Sequence, residues 1–163
     1  MDKPEISLIL PSIRTARLEK LYETILTSTK RQFELVICGP NPLPEALKEL
    51  RNVKYVKDYG SPVRASNIAA SLCEGKVYTW LADDCLFFEN SLDQCIDEFY
   101  EMGSAKNNVL VAKYYEGQEG SRDRETLQSD DYFRINHTPA GSPHIPSDWW
   151  LFNIAFMYSP FFN

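Results

Sequence analysis

Apolar positions along this chain fall into two alternating patterns. Short continuous runs mark strands buried on both faces, and runs at three- and four-residue spacing mark helices. Glu5–Pro11 (EISLILP) is the first strand. Across Thr15–Thr29, Leu18, Leu21, Tyr22 and Ile25 recur at helical spacing, with Thr15 placed as N-cap. Phe33–Gly39 (FELVICG) is the second strand, stopped by the turn-rich GPNPLP, and Pro44–Asn52 reads as a short helix. In Val53–Asp58 (VKYVKD) lysines alternate with apolar residues, which puts this third strand near a sheet edge. Ser61–Gly75 is a helix with Ser61 as N-cap, Pro62 in the first turn and Gly75 just past the end. Lys76–Ala82 is a fourth strand that runs into Asp83–Asp84. Asn90–Gly103 is a helix capped by Asn90, and Asn107–Tyr115 is a fifth strand.

Strands alternating with helices predict parallel crossovers and a doubly wound α/β sheet. In such sheets ligands bind outside the carboxyl ends of the strands. Strand one ends at Pro11–Ser12 with Arg14 just beyond, strand two at Gly39 and strand four at Asp83–Asp84, so these ends are expected on one rim. After Tyr115 the periodicity fails. Residues 116–148 are polar and rich in Gly and Pro, the composition of a functional loop. Residues 149–163 are strongly apolar and aromatic. A chain stopping on Phe161-Phe162-Asn163 is expected either to continue or to cover an interface there, through which an oligomer would form.

Composition narrows the class. With 163 residues, 44% hydrophobic and 25% charged, the chain fits one soluble domain (1–163) with a real core. A net charge of -6 repels phosphate backbones and argues against nucleic-acid binding, although a local basic patch can still hold one small anion. The four cysteines form no CxxC pair, so no zinc knuckle or redox motif is indicated, and Cys38 and Cys73 read as buried thiols. No signal-peptide pattern and no membrane-length apolar run is present. A cytoplasmic location is expected, with peripheral contact to a membrane left open.

The acid pair carries the chemistry. Two adjacent carboxylates at a strand end are unfavourable unless something positive offsets them. Mg²⁺ or Mn²⁺ does so, combining one or two carboxylates with substrate phosphates. Neighbouring strand residues face opposite ways, so one acid is expected to bind metal and the other a sugar or an arginine. The plain alternative is a pair of solvated loop acids.

In their order these parts resemble the family 2 glycosyltransferases of GT-A fold. The likeness rests on SLILPSIR, on FELVICG, and on SPVRASNIAASLCEGKVYTWLADD with its Arg-x-x-Asn helix ahead of an acidic strand end. It covers residues 5 to 100 well and the aromatic C-terminal segment loosely. It implies a Rossmann-like α/β sandwich with a mostly parallel central sheet. Residues 1–115 would be the nucleotide-binding part, 116–148 a loop, and 149–163 the start of an acceptor-side part. Pro11 and Ser12 would lie along base and ribose, and Arg14 would contact the donor. Arg64 and Asn67 would face the nucleotide pocket, Asp83 would approach ribose or sugar, and Asp84 would hold the metal. The implied reaction is metal-assisted sugar transfer, with inversion, from a nucleotide-diphosphate donor to a hydroxyl on a sugar, lipid-linked or protein acceptor. Surface polysaccharide synthesis is one setting it fits. The base that activates the acceptor would lie beyond Asn163.

The chain departs from the family pattern in two places. Cys38-Gly39-Pro40-Asn41 stands where many members have Asp-Asp-Gly-Ser, and Ala82 stands at the first acid of a strict Asp-x-Asp. These departures keep a second class in play, a non-catalytic nucleotide-sugar-binding or scaffold module of the same fold. A nucleotidyltransferase would carry a Gly-rich loop after strand one, and PSIRTARLEK has no glycine. Ser142, His144 and Asp148 lack the nucleophile elbow of a hydrolase. His137, His144 and Asp130-Asp131 read as solvated loop residues. Trp149 and Trp150 are candidates to stack on an acceptor sugar, with core packing the competing role.

Overall fold

The computed structural model describes residues 3–102, 109–112 and 155–158. Six strands form one sheet: β1 (Ile6–Pro11), β2 (Phe33–Gly39), β3 (Val53–Lys57), β4 (Val77–Trp80), β5 (Val109–Val111) and β6 (Ala155–Tyr158). Four helices accompany them: α1 (Leu18–Ser28), the single turn α2 (Glu45–Lys48), α3 (Pro62–Ser71) and α4 (Ser91–Glu101). The strand order is β3-β2-β1-β4-β6-β5. β1 pairs in parallel with β2 and β4, and β2 with β3. β6 is antiparallel to both β4 and β5. The sheet is therefore mostly parallel, as expected, and β3 takes the edge that its alternating lysines predict. Residues 116–148, read from the sequence as a loop, lie outside the described residues, as do 113–115 of the expected fifth strand and 149–154 and 159–163 of the aromatic segment.

Alternation along the strands divides the core. Ile6, Leu8 and Leu10 pack with Leu18, Leu21 and Ile25 of α1 and with Leu92, Ile96 and Phe99 of α4. Ile9, Val36 and Cys38 pack on the other face against Ala65, Ala69 and Ala70 of α3. Each of these leucine and isoleucine side chains contributes about 2 kcal/mol by leaving water. The small residues of α3 let that helix lie close on β1 and β2, next to the rim where the strands end.

Two predicted caps are not used. Thr15 begins a 3-10 turn (Thr15–Arg17) and α1 starts only at Leu18. The segment just before this turn is held elsewhere, the N–H groups of Ile13 and Arg14 donating to Asp83. Asn90 sits at φ 58, in the left-handed region that Asn tolerates, and its side chain makes no cap bond. Ser61 does cap α3, accepting from the N–H of Arg64 at 3.3 Å, with Pro62 at the first position.

At the opposite end of the sheet, a buried carboxylate fixes the α3–β4 turn. Glu34 of β2 accepts from Ser7 Oγ at 2.6 Å and from the N–H groups of Glu74 at 2.5 Å and Gly75 at 3.2 Å. Its second oxygen pairs with Lys54 Nζ at 2.8 Å. A side chain on Gly75 would meet Ser7 Oγ at 2.5 Å, so only glycine fits this turn.

Candidate donor-binding site

The carboxyl ends of the parallel strands do converge. A cavity of about 460 Å³ opens there, lined by Pro11 and Ser12 from β1, Cys38 and Gly39 from β2, and Trp80 and Asp83 from the β4 end, among others. Gly39 is required for this convergence, because a Cβ would fall 1.8 Å from the carbonyl oxygen of Ser12.

Asp83 is the best-held side chain of the site. β4 ends at Trp80, and Asp83 and Asp84 occupy a turn, so strand alternation does not set their directions. Asp83 is 5% exposed. Its Oδ2 accepts from Ser12 Oγ at 3.1 Å and from the N–H groups of Ile13 at 3.1 Å and Arg14 at 3.0 Å. Its Oδ1 accepts from Arg14 Nε at 2.7 Å and from Arg14 Nη2. Burial alone would raise the Asp83 pKa. The arginine, the two N–H groups and the Ser12 hydroxyl outweigh it and hold the carboxyl below its usual range.

Asp84 is its opposite in environment. Its side chain is 45% exposed, and its partner among the described residues is Arg14 Nη2, 3.0 Å from Oδ2. One guanidinium thus bridges both acids. The sequence pattern asked for a positive group to offset the pair, and Arg14 supplies it. Hydrogen bonding to Asp83, followed by the Coulomb attraction of that carboxylate, pushes the Arg14 pKa further up, so the guanidinium stays charged.

A second ion pair faces the same cavity. Asp58, directly after β3, lines the wall and accepts from Arg64 Nε at 3.0 Å and from the N–H of Gly60 at 2.8 Å. Arg64 reaches the cavity through this carboxylate. Asn67 is exposed on α3 and is not among the lining residues. Asp58 was not singled out from the sequence. The signal was available, because the rim rule applies to the end of strand three as it does to the others.

Cys38 lines the cavity as a thiol, since burial, aided by the nearby Asp58 charge, raises its pKa. Burial likewise pushes Cys85 up to about 12 and Cys95 up to about 11. None of them is a poised nucleophile.

Among the described residues no three His, Cys, Asp or Glu side chains converge as a metal-ligand set. Asp83 is saturated by five donors. Asp84 is not itself a lining residue of the cavity; it offers one exposed hard-oxygen ligand next to Asp83 and Arg14, which are. That donor chemistry fits a magnesium- or manganese-type cation that draws its other ligands from phosphates and water.

No family model matches the chain, and no curated protein matches it. Among solved structures, the mannosyltransferase PcManGT from Pyrobaculum calidifontis, in complex with GDP-Man and Mn²⁺, superposes with a TM-score of 0.59 over 96% of this chain at 10% identity. The fold is GT-A. S. aureus TarS 1–349 matches 60% of the chain with a TM-score of 0.49 at 17% identity. The chain spans 45% of the first structure and 32% of the second. Among the described residues no helix is long and apolar enough to cross a membrane.

Proposed function

We propose that this GT-A domain is the donor-binding part of a family 2 glycosyltransferase. It would move a hexose from a nucleoside-diphosphate sugar to a hydroxyl acceptor with inversion. The observation that carries the reading is the Asp83–Asp84 turn, anchored through Ser12, Ile13 and Arg14 at the mouth of a rim cavity large enough for a nucleotide. The solved mannosyltransferase of this fold, which holds GDP-Man and Mn²⁺, supports the ligand class.

Base and ribose would lie along Pro11 and Ser12, with Asp58 offering acceptor oxygens to a base N–H. Asp83 would serve the ribose or sugar indirectly, by fixing the Ser12–Arg14 loop against which they lie, Arg14 would meet the diphosphate, and Arg64 would hold Asp58 in place. Asn67, exposed on α3 and outside the lining, would meet the donor only from beyond the cavity wall. Asp84 would hold the divalent cation, which when bound supplies charge neutralisation to the leaving diphosphate. In the transfer the acceptor oxygen bonds to the anomeric carbon as the carbon–oxygen bond to the diphosphate breaks, and the acceptor proton passes to a base. The charges at the site support a cation. Three carboxylates, Asp58, Asp83 and Asp84, face two guanidiniums, Arg14 and Arg64, so a diphosphate would enter an already negative site.

A non-catalytic nucleotide-sugar-binding module is the second reading. It is favoured by Gly39-Pro40-Asn41, which brings no carboxylate to the end of β2. Calorimetric titration with UDP- and GDP-sugars, with and without Mn²⁺, separates the two. Manganese-dependent binding that Asp84→Ala abolishes, together with sugar transfer, supports the enzyme. Binding indifferent to metal and to Asp84 supports the module, and no binding of either nucleotide overturns both.

A further inference from the structure

We propose that Arg14 is the resident cation of the acid pair, and that a divalent cation enters by displacing Arg14 Nη2 from Asp84 while Asp83 stays locked. This rests on the donor-site reading above and adds how the site exchanges charge. Three observations carry it.

The first is the unequal hold of the two carboxylates. Asp83 accepts five hydrogen bonds, three of them from groups that have no reason to move, the Ser12 hydroxyl and the Ile13 and Arg14 backbone N–H groups. Asp84 has one described partner and lies half in solvent. The second is that Arg14 has a retained grip after giving up Asp84. Its Nε donates to Asp83 Oδ1 at 2.7 Å independently of the shared Nη2. Only Asp84 must turn, and its exposure leaves it room to do so. The third is the exposure of the guanidinium itself, 55% for the Arg14 side chain. After Asp84 turns away, Nη2 keeps its bond to Asp83 Oδ1 and the hydrogen that faced Asp84 is released as a donor beside the cavity, available to a phosphate oxygen.

The consequence is a site with weak affinity for metal alone. The cation must compete with a guanidinium already paired to its one carboxylate ligand, and diphosphate oxygens, held by metal and by Arg14 together, tip the exchange. Metal and donor therefore bind together rather than independently. Arg14 is a positioning residue in the ligand-free state and a diphosphate contact in the loaded one.

The test uses the full chain and no nucleotide, so it is independent of whether UDP or GDP binds. Free Mn²⁺ is followed by electron paramagnetic resonance during titration of wild type, Arg14→Gln, Arg14→Lys, Asp84→Asn and Arg14→Gln/Asp84→Asn. Arg14→Gln is expected to bind Mn²⁺ about three- to tenfold tighter than wild type, the range expected for removing one exposed competing charge. Arg14→Lys should stay near wild type, and both variants lacking Asp84 should lose the site. Equal or weaker Mn²⁺ binding in Arg14→Gln overturns the proposal. A second measurement needs no substitution at Arg14. In wild type, Mg²⁺ should shift the Arg14 Nε–Hε resonance without abolishing it, and Asp84→Asn should remove the response. An unmoved resonance at saturating Mg²⁺ overturns it equally. Intact exchange with no nucleotide binding would instead sink the donor-site reading alone.

Discussion

At the scale of single residues, two neighbours with the same side chain carry opposite burdens. Asp83 is a structural acceptor for a whole loop, and Asp84 is a half-exposed acid whose described partner is Arg14. Asp83→Asn should destabilise the fold by about 2–4 kcal/mol in urea unfolding, because the network loses its charge and one acceptor oxygen and gains an amide NH2 that faces donors. Asp84→Asn should stay within about 0.5 kcal/mol of wild type, as exposed substitutions do. Glu34 gives a pH signature. Burial pushes its pKa up, yet the Glu74 N–H, Lys54 and Ser7 outweigh this and hold it below its usual value in the folded chain. A depressed folded pKa contributes stability that is complete above the unfolded value and lost as pH falls through the folded one. The urea midpoint should be flat from about pH 7 to 5.5 and drop below about pH 4.5, and Glu34→Gln should flatten part of that drop while lowering the plateau.

At the scale of elements, contacts between them matter more than their own propensities. α4 is tied to the sheet by Arg31, which precedes β2. Its guanidinium pairs with Glu5 at 2.5 Å and Asp97 at 2.5 Å and lies over the Tyr100 ring at 5.8 Å. Arg31→Met should lower stability by about 1–2 kcal/mol, chiefly through the partly buried Glu5 pair, and should raise amide exchange in α4 before other elements. Gly39, the last residue of β2, lies directly against the Ser12 carbonyl that follows β1. Gly39→Ala would set a methyl against backbone rather than a flexible side chain, so a loss of about 3 kcal/mol or more is expected by chemical denaturation. Because Ser12 is the residue displaced, nucleotide affinity should fall in the same variant even where it remains folded.

At the scale of the whole molecule, the site exists only where the strand ends meet, so its occupancy should stabilise the entire fold. At a nucleotide concentration about a hundredfold above Kd, linkage contributes about 2.7 kcal/mol. For a chain of this size that is a rise in Tm of about 5–10 °C. The rise is expected with UDP or GDP plus Mn²⁺ by differential scanning fluorimetry. It should be lost in Asp84→Asn, whose ligand-free Tm should match wild type.

The sequence by itself determined the kinds and order of the elements from β1 to β5 and the rim on which β1, β2 and β4 end, because each follows from local periodicity, but it did not mark Ala155–Tyr158 as a strand. Ile6 to Pro11, Phe33 to Gly39 and Ser61 with Pro62 are legible without any partner. It also flagged Asp83 and Asp84 as needing a positive group. Only the tertiary structure decided which group. Arg14 and Asp83 lie 69 positions apart, and nothing local announces that the backbone N–H groups after β1 turn onto that carboxylate. The insertion of β6 between β4 and β5, and the arrival of Asp58 at the same cavity, are likewise set by strand pairing across the chain. Periodicity states which face a residue shows, and pairing alone states what that face meets.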